Sequence, residues 1–240
     1  MNFYGESHVG AVRKNNEDRI YVSEKEPFIF AVCDGMGGEA FGEKAATIAV
    51  AEIENLQIQL QNPGAEISAC VNEYVKRVNT LVCEEITRCG QSMGTTLVLL
   101  CIKNGHAYFY NIGDSRAYIL RDGVLSLLSQ DHTITGGLVR MGIITKEQAL
   151  IHPDKNKLTQ CIGTPEDKMR LEIYQSQPVQ IKAGDVFLLC SDGLTEMCSD
   201  DETAQILSQH KDAEPAAKKL ISRAIKNGGH DNISVIVAGN

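Results

Sequence analysis

Apolar residues along this chain of 240 residues form short runs as well as longer stretches with helical spacing. The run Pro27 to Cys33 is almost wholly apolar and stops at an Asp-Gly pair, which is typical of a buried strand. Apolar residues recur at helical spacing from Glu43 to Leu60 and from Glu66 to Thr87. Pro63-Gly64 and Gly90 follow these two stretches and end them. We expect both helices to pack on one face of the sheet that contains the first strand.

The middle of the chain changes to closely spaced strands. Three short apolar or aromatic segments are predicted as strands: Thr95 to Ile102, Gly105 to Ile112 and Arg116 to Leu120. Asn104-Gly105 and Asp122-Gly123 are strong signals of tight hairpins. Because parallel strands need long crossovers, this spacing predicts antiparallel pairing.

The last part of the chain mixes both kinds of element. We expect a mainly helical segment from 131 to 151, interrupted near Gly142, and a loop from 152 to 167. The remaining predicted elements are strands Met169 to Tyr174 and Asp185 to Cys190, helices Asp200 to Gln209 and Pro215 to Lys226, and a terminal strand Asn232 to Ala238. This order predicts an α+β fold, a four-layer αββα sandwich of two mainly antiparallel sheets flanked by helices. No linker divides the chain, so we expect a single domain over residues 1–240.

The composition argues against some classes of binding partner and indicates the cellular compartment. The net charge of −8 argues against nonspecific binding to nucleic acids or anionic membranes. No signal peptide or membrane-spanning run is visible, and none of the eight cysteines forms a CxxC pair. We therefore expect a reducing, cytoplasmic setting with free cysteines. Since no heptad or repeat pattern is present, we expect a monomer.

The candidate chemistry lies in four aspartates at predicted turns: Asp34, Asp114, Asp192 and Asp231. A single Asp-Gly pair is usually only a turn. Four aspartates at strand ends suggest carboxylates gathered at one sheet edge, which repel each other unless cations neutralise them. Hard divalent ions prefer oxygen ligands, so Mg²⁺ or Mn²⁺ fits better than Zn²⁺. With Glu17 and Asp18, these residues account for six of the eight net negative charges, so the acidity is largely a requirement of a cation site.

Seven motifs spread over nearly the whole chain carry a family resemblance. In order they are Arg13 to Asp18, Asp34-Gly35-Met36-Gly37-Gly38, Met93-Gly94-Thr95-Thr96, Gly113-Asp114-Ser115-Arg116, Gln130-Asp131-His132-Thr133, Cys190-Ser191-Asp192-Gly193-Leu194 and Gly229-His230-Asp231-Asn232. In their sequence and spacing they resemble the compact bacterial form of the PP2C family of metal-dependent protein phosphatases. The ordered set is far more specific than any one of its members.

The resemblance implies two Mn²⁺ or Mg²⁺ ions and an optional third. Asp34 would bridge the first two ions, and Asp192 and Asp231 would complete the first. The backbone carbonyl of Gly35 would bind the second ion, together with Glu17 directly or through water. A weaker third ion would be held by Asp114 and Asp192.

Further roles follow for residues that would contact the substrate or support the centre. Arg13 would bind the substrate phosphate, which suits the planar donor fork of a guanidinium. Asp18 would steady Arg13 or a metal-bound water. Met36 stands where many eukaryotic relatives have a histidine proposed as general acid, so the proton donor is unassigned. His132 and His152 are candidates, although a structural role is favoured for each.

The function implied is hydrolysis of phosphoserine and phosphothreonine in proteins by a water that bridges two divalent ions. Phosphorylated proteins, including a serine/threonine kinase, are the implied partners. The segment 133–156 resembles the family's mobile flap, with substrate selection as its role and an ordinary helical insertion as the alternative. Two other functions stay open: a pseudophosphatase or regulatory module, which would show losses at Asp34, Asp192 or Asp231, and a phosphatase of small phosphate esters.

Overall fold

The computed structural model describes residues 1–37 and 41–239, with thirteen strands and eight helices in those ranges. The strands are β1 Asn2–His8, β2 Arg19–Val22, β3 Phe28–Cys33, β4 Gly35–Met36, β5 Gly94–Thr95, β6 Leu97–Lys103, β7 His106–Ile112, β8 Arg116–Arg121, β9 Val124–Leu127, β10 Tyr174–Gln175, β11 Val179–Gln180, β12 Val186–Cys190 and β13 Ile233–Gly239. The helices are α1 Phe41–Ala51, α2 Ile53–Leu60, α3 Ile67–Cys89, α4 Ile134–Arg140, α5 Lys146–Leu150, α6 Asp192–Thr195, α7 Asp200–Gln209 and α8 Ala213–Lys226. Gly38, the last residue of the second motif, lies outside the described residues.

Two antiparallel sheets contain most of the strands. The first sheet has the order β1-β13-β12-β8-β9, and the second has the order β10-β7-β6-β3-β2, with β11 also paired to β7. Every strand pair in the two sheets is antiparallel. A separate two-stranded piece, β4 with β5, follows directly after β3. The predicted antiparallel pairing is thus confirmed.

Side-chain alternation along the central strands explains why the sheets stack with helices outside. In β3, Phe30 and Val32 pack against residues of the first sheet, such as Phe187 and Ile236. The alternate residues of β3 point to the other face and join a core with α1, α2 and α3. The opposite face of the first sheet likewise packs on α6, α7 and α8. Because each central strand is apolar on both faces, it must be covered on both, which gives the predicted four layers.

The helices have clear boundaries and stay outside the sandwich. Glu66 caps α3 through its side chain, and Gly90 ends it in a left-handed conformation with φ 68°. Ser199 and Glu202 form a capping box at the start of α7. Within the ranges 1–37 and 41–239, no helix combines the length and apolar character needed to cross a membrane.

Several predicted boundaries were wrong. The helix expected from Glu43 to Leu60 begins at Phe41 and is divided at Glu52, where the flanking backbone hydrogen bonds lengthen to 3.3 Å. The strand expected from Met169 to Tyr174 is limited to Tyr174–Gln175, because the backbone at Met169 turns back to Pro165. Strands β1 and β2 were not predicted, since their polar residues mask the alternation.

The two hairpin signals were correct. Asn104 and Gly105 adopt φ values of 53° and 73° between β6 and β7. Asp122 and Gly123 adopt 52° and 80° between β8 and β9. These paired positive angles are what a two-residue hairpin turn requires, and they fix the register of both strand pairs.

Candidate active site

Strand register brings the predicted aspartates to the same end of the sandwich. Asp34 follows β3, and Asp114 lies in the β7–β8 connection. Asp192 begins α6 directly after β12, and Asp231 precedes β13. Cys190 pairs with both Arg116 and Val235, so the end of β12 lies beside the starts of β8 and β13. We call this end of the sandwich the acidic rim.

The loop before β2 completes the acidic rim. Arg19 pairs with Cys33, which places Glu17 and Asp18 beside the end of β3. The backbone N–H of Glu17 donates to Asn232 Oδ1 at 2.8 Å. Asn232 also donates from Nδ2 to the carbonyl of Asn15 at 2.9 Å. This asparagine therefore fastens the Glu17 loop to the start of β13.

Mutual repulsion shows that the aspartates are close to one another. Burial, and then the negative charges of Asp18, Asp192, Asp114 and Asp231, raise the pKa of Asp34 well above its usual range. Burial followed by the charges of Asp114 and Asp231 likewise raises the pKa of Asp192 well above that of an ordinary aspartate. Asp34 and Asp192 therefore lie near the other carboxylates of the acidic rim.

Asp114 lies at the side of the rim nearest to the partly buried ion pair of Arg116 and Asp131. Burial and the charge of Asp131 raise the pKa of Asp114 to about 7, while Arg116 opposes the rise. Arg116 binds both carboxylate oxygens of Asp131, with Nη2 to Oδ2 at 2.6 Å. His132 accepts the backbone N–H of Gly113 on Nδ1 at 3.2 Å. The motif around Asp131 therefore holds the Asp114 turn in place.

Asp18 is the most deeply buried acidic residue of the rim, with 1% of its surface exposed. Its Oδ2 accepts hydroxyl hydrogen bonds from Ser191 at 2.8 Å and Ser234 at 2.7 Å. Burial raises the pKa of Asp18 to about 6, and these two hydrogen bonds oppose the rise. Its Oδ1 has no hydrogen-bond partner.

Two glycines permit the close approach of the rim loops. A Cβ atom on Gly35 would lie 2.2 Å from the carbonyl oxygen of Gly42 and 2.6 Å from that of Glu17. A Cβ atom on Gly193 would lie 2.0 Å from the carbonyl oxygen of Asn232. All three distances are shorter than any tolerated contact, so only glycine fits beside Asp34 and Asp192 without a shift of the backbone.

Arg13 contacts the acidic rim from the solvent side. Its Nη2 donates to Asp231 Oδ2 at 2.7 Å, and 53% of the arginine side chain remains exposed. Partial burial alone would lower the pKa of Arg13, but the Asp231 carboxylate outweighs it and raises the pKa overall. The guanidinium is thus held at the mouth of the site with part of its surface in solvent.

The donor set of the rim fits a hard divalent cation. Buried oxygens of Asp18 and Asp192 lack hydrogen-bond partners, and the surrounding carboxylates mutually raise their pKa values. In the described ranges 1–37 and 41–239, no three His, Cys, Asp or Glu side chains are gathered closely enough to hold a metal ion. The assignment of individual metal ligands stays a prediction.

The candidate proton donors have local structural contacts. His132 is 7% exposed, and burial lowers its pKa. His152 Nδ1 accepts the backbone N–H of Asp154 at 3.1 Å. Met36 lies in β4 and pairs with Gly94. These contacts agree with structural roles for both histidines, and the general acid is still unassigned.

Segment 133–156 touches the rim at one end. It contains α4 and α5, and Lys155 Nζ donates to Glu196 Oε1 at 2.9 Å. Asn156 Nδ2 donates to the same oxygen at 3.0 Å. The charge of Glu196 raises the pKa of both Asp192 and Asp114, so this residue links the segment to the acidic rim. The sequence prediction did not single out Glu196, which has no acidic neighbour in the chain and is the C-cap of the short helix α6.

Comparison with known proteins agrees with this geometry. A family model described as protein phosphatase 2C matches residues 4–231. The serine/threonine protein phosphatase PstP of Mycobacterium tuberculosis is 34% identical over 240 residues, covering 99% of this chain. This chain spans 45% of the length of that protein. The serine/threonine phosphatase stp of Listeria monocytogenes is 33% identical over 238 residues, covering 95% of this chain and 91% of stp.

Solved structures show the same fold. The crystal structure of M. tuberculosis PstP superposes with a TM-score of 0.88 at 33% identity, covering 98% of this chain and 96% of that one. The catalytic domain of PstP in complex with two manganese ions gives a TM-score of 0.85 at 32% identity, covering 98% and 96%. A serine/threonine phosphatase of S. agalactiae gives 0.84 at 31% identity, covering 99% of each chain.

Proposed function

Because this chain belongs to the protein phosphatase 2C family, we propose that it is a metal-dependent protein-serine/threonine phosphatase. The observation that carries the proposal is the acidic rim, where burial, and then the charges of neighbouring carboxylates, raise the pKa values of Asp34 and Asp192 well above their usual range. A protein keeps such self-repelling charges together when a cation neutralises them in use.

We assign the metal ligands as follows. Asp34, Asp192, Asp231, Glu17 and the backbone carbonyl of Gly35 would hold two ions, and Asp114 with Asp192 would hold an optional third. Two manganese ions in the PstP catalytic domain support Mn²⁺, and Mg²⁺ has the same ligand preference. When bound, such ions supply an activated water and offset charge on the phosphoryl oxygens.

The chain's own residues orient the phosphate. Arg13 is the exposed guanidinium at the mouth of the site, and a guanidinium binds phosphate oxygens through paired donors. The hydrogen bond from Arg13 Nη2 to Asp231 Oδ2 holds this guanidinium beside the acidic rim. Asp18 lies beneath, anchored by Ser191 and Ser234, and steadies the centre rather than contacting the substrate.

The substrates proposed are phosphorylated proteins, including a serine/threonine kinase. The relatives named as serine/threonine phosphatases support this class of substrate. We propose a single catalytic domain over 1–240 in which segment 133–156 is a flap that selects substrates. Its contact with Glu196 and its exposed apolar side chains, such as Met141 and Ile151, support that role.

A monomer in the cytoplasm completes the proposal. All eight cysteines are free, and several of them are buried in the core, which suits a reducing compartment. The acidic net charge of −8 gives no basis for binding nucleic acids.

Hydrolysis of a phosphothreonine peptide with Mn²⁺ tests the function. We expect activity that chelator abolishes and that Asp34→Asn lowers at least ~100-fold, because a carboxylate of the metal site is lost. Asp122→Asn is the matched control, since Asp122 lies in the β8–β9 turn, where asparagine is equally suited. Full activity of Asp34→Asn, or of the metal-free protein, would refute the assignment. Greater efficiency with p-nitrophenyl phosphate than with phosphopeptides would instead favour small esters as substrates.

A further inference from the structure

The buried hydroxyls of Ser191 and Ser234 join Asp18 to neighbouring strands, and the partly buried Ser7 contacts Ser234. We call Ser7, Ser191, Ser234 and Asp18 the serine network. Ser191 and Ser234 have no exposed surface. Their Oγ atoms lie 2.8 and 2.7 Å from Asp18 Oδ2, and the Oγ atoms of Ser234 and Ser7 lie 2.8 Å apart. The backbone N–H of Ser234 donates to Ser191 Oγ at 2.9 Å.

The two buried hydroxyls share one acceptor. An ionised carboxylate only accepts, so Ser191 and Ser234 both donate to Asp18 Oδ2. Ser191 Oγ in turn accepts the N–H of Ser234. Ser7 Oγ accepts from Asn16 Nδ2 at 2.8 Å and from Ser234 Oγ at 2.8 Å, so the single Ser234 proton is shared between Ser7 and Asp18. Asp18 Oδ2 is therefore the acceptor on which both buried hydroxyls converge.

The network spans both sheets. Ser7 lies in β1 and pairs with Ser234 in β13, while Ser191 follows β12. All three belong to the first sheet or its edge, whereas Asp18 immediately precedes β2 of the second. The hydroxyls thus fix the Asp18 carboxylate across the sandwich at the acidic rim.

The Ser191 and Ser234 hydroxyls lie in apolar surroundings, where a buried hydroxyl needs a hydrogen-bond partner. In β13 the neighbours of Ser234 are Ile233 and Val235, and Ser191 follows an apolar strand. A buried hydroxyl without a partner costs about 1–3 kcal/mol, and an apolar residue of similar size avoids that cost. Both hydroxyls are instead satisfied by Asp18, whose second oxygen, Oδ1, is left without a partner.

We propose that Ser191 and Ser234 are positioning residues for the divalent-cation centre, acting by fixing Asp18 so that its Oδ1 supports the hydrated cation held by Asp34 and Asp192. The inference rests on the proposed function for the existence of that centre. Asp18 is close enough to Asp34 and Asp192 for their charges to interact. Groups that orient metal ligands in other proteins change metal affinity by 10–100-fold when removed.

Calorimetric titration of metal-free protein with Mn²⁺ tests the proposal without relying on activity. We expect Ser191→Ala and Ser234→Ala each to weaken the Kd for Mn²⁺ by about 10-fold. Ser234→Thr keeps the hydroxyl in a strand that favours β-branched residues, so its Kd should stay within ~3-fold of wild type. Ser129→Ala is the matched control, because Ser129 is also buried but accepts the backbone N–H of Ala117.

A double-mutant cycle with Asp18→Asn separates positioning from a general loss of packing. If the hydroxyls act through Asp18, adding Ser234→Ala to Asp18→Asn changes the Mn²⁺ Kd by less than ~2-fold further. Independent, additive effects would overturn the proposal. The proposal would also be overturned if the Ser191→Ala and Ser234→Ala proteins fold, melt at a lower temperature and bind Mn²⁺ with an unchanged Kd. An absence of Mn²⁺ binding in the wild-type protein would overturn it too. Mn²⁺ binding without phosphatase activity would refute the proposed function alone.

Discussion

Asp34 and Asp192 experience more negative charge than the other acidic residues of the rim. The carboxylates of Asp18, Asp114 and Asp231 act on one or both of them in addition to burial. Asp231 differs because Arg13 forms an ion pair with it. The carboxylates of the rim therefore differ in their electrostatic surroundings. Asp34 and Asp192, which are surrounded by several other carboxylates, are the two residues that the family resemblance assigns to more than one ion.

Replacement of Arg13 tests its assignment to the phosphate. We expect Arg13→Gln to raise the KM for a phosphothreonine peptide about 10–100-fold, since a charge-assisted hydrogen bond contributes roughly 1.5–3 kcal/mol. Steady-state kinetics at saturating Mn²⁺ measures the effect. Arg77→Gln is the control, because Arg77 is 60% exposed and binds Glu52 on the helical layer. Equal KM values in the two variants would contradict the assignment.

How far single residues could be identified from the sequence depended on the kind of signal. The aspartates stand at turns beside predicted strands, and this local pattern led to the prediction that all four lie at one sheet edge; the strand ends place them at one end of the sandwich. Ser191 and Ser234 gave no comparable signal, because a serine within or after a strand is common. Their partner Asp18 lies 173 and 216 residues away in sequence, a distance that no local pattern bridges.

Close contact between rim loops is the feature that matters at the scale of elements. The first turn of α6 packs against the backbone of Asn232, directly before β13, and the contact is so close that only glycine fits at position 193. Loop contacts of this kind transmit the position of one strand end to the next. They also explain why the motifs contain glycine next to the acidic residues rather than any small residue.

Two glycine substitutions with opposite expectations test this contact. Gly193→Ala places a Cβ 2.0 Å from the Asn232 carbonyl, and we expect the free energy of unfolding to fall by about 2–3 kcal/mol. Gly137→Ala meets nothing within 4 Å inside α4 and should be neutral or slightly stabilising. Urea unfolding measures both. A Gly193→Ala protein as stable as Gly137→Ala would show that the backbone relaxes freely.

Elements were predictable where the pattern was strong. The strand before Asp34 was identified from its continuous apolar run, and the hairpin at Asn104-Gly105 from turn chemistry. β1 was missed because it contains Gly5, Glu6 and Ser7, which have low or moderate strand preference. Its stability comes from pairing with β13, a partner more than 200 residues distant, as Asn2 opposite Gly239 shows.

For the whole molecule, the acidic rim makes stability depend on pH and on cations. Burial raises the pKa of Asp114 to about 7 and that of Asp18 to about 6 in the fold, whereas an unfolded aspartate titrates near 3.9. The folded state therefore holds these protons more tightly than the unfolded state. Their stabilising contribution is complete below about pH 4 and is lost as the pH rises to about 7.

The metal-free protein should accordingly be more stable at pH 6 than at pH 8. Saturating Mn²⁺ should reverse the order, because the cation replaces the protons and binds best to ionised carboxylates. Thermal unfolding at both pH values, with Mn²⁺ and with chelator, measures the effect; each ~1 kcal/mol corresponds to about 2–4 °C in a chain of this size. A metal-free melting temperature that rises from pH 6 to pH 8 would contradict the prediction.

The pairing of β1 with β13 has a consequence for synthesis of the protein. Ribosomes synthesise the chain from its N-terminal end, so β1, β2 and β3 emerge from the ribosome long before β13. Until β13 emerges, β1 has no hydrogen-bonded neighbour in its sheet. Arg13 then lacks its partner Asp231, and Asp18 lacks its partner Ser234. A nascent chain stalled before β13 therefore presents an unpaired strand edge, which is a template for pairing with another chain.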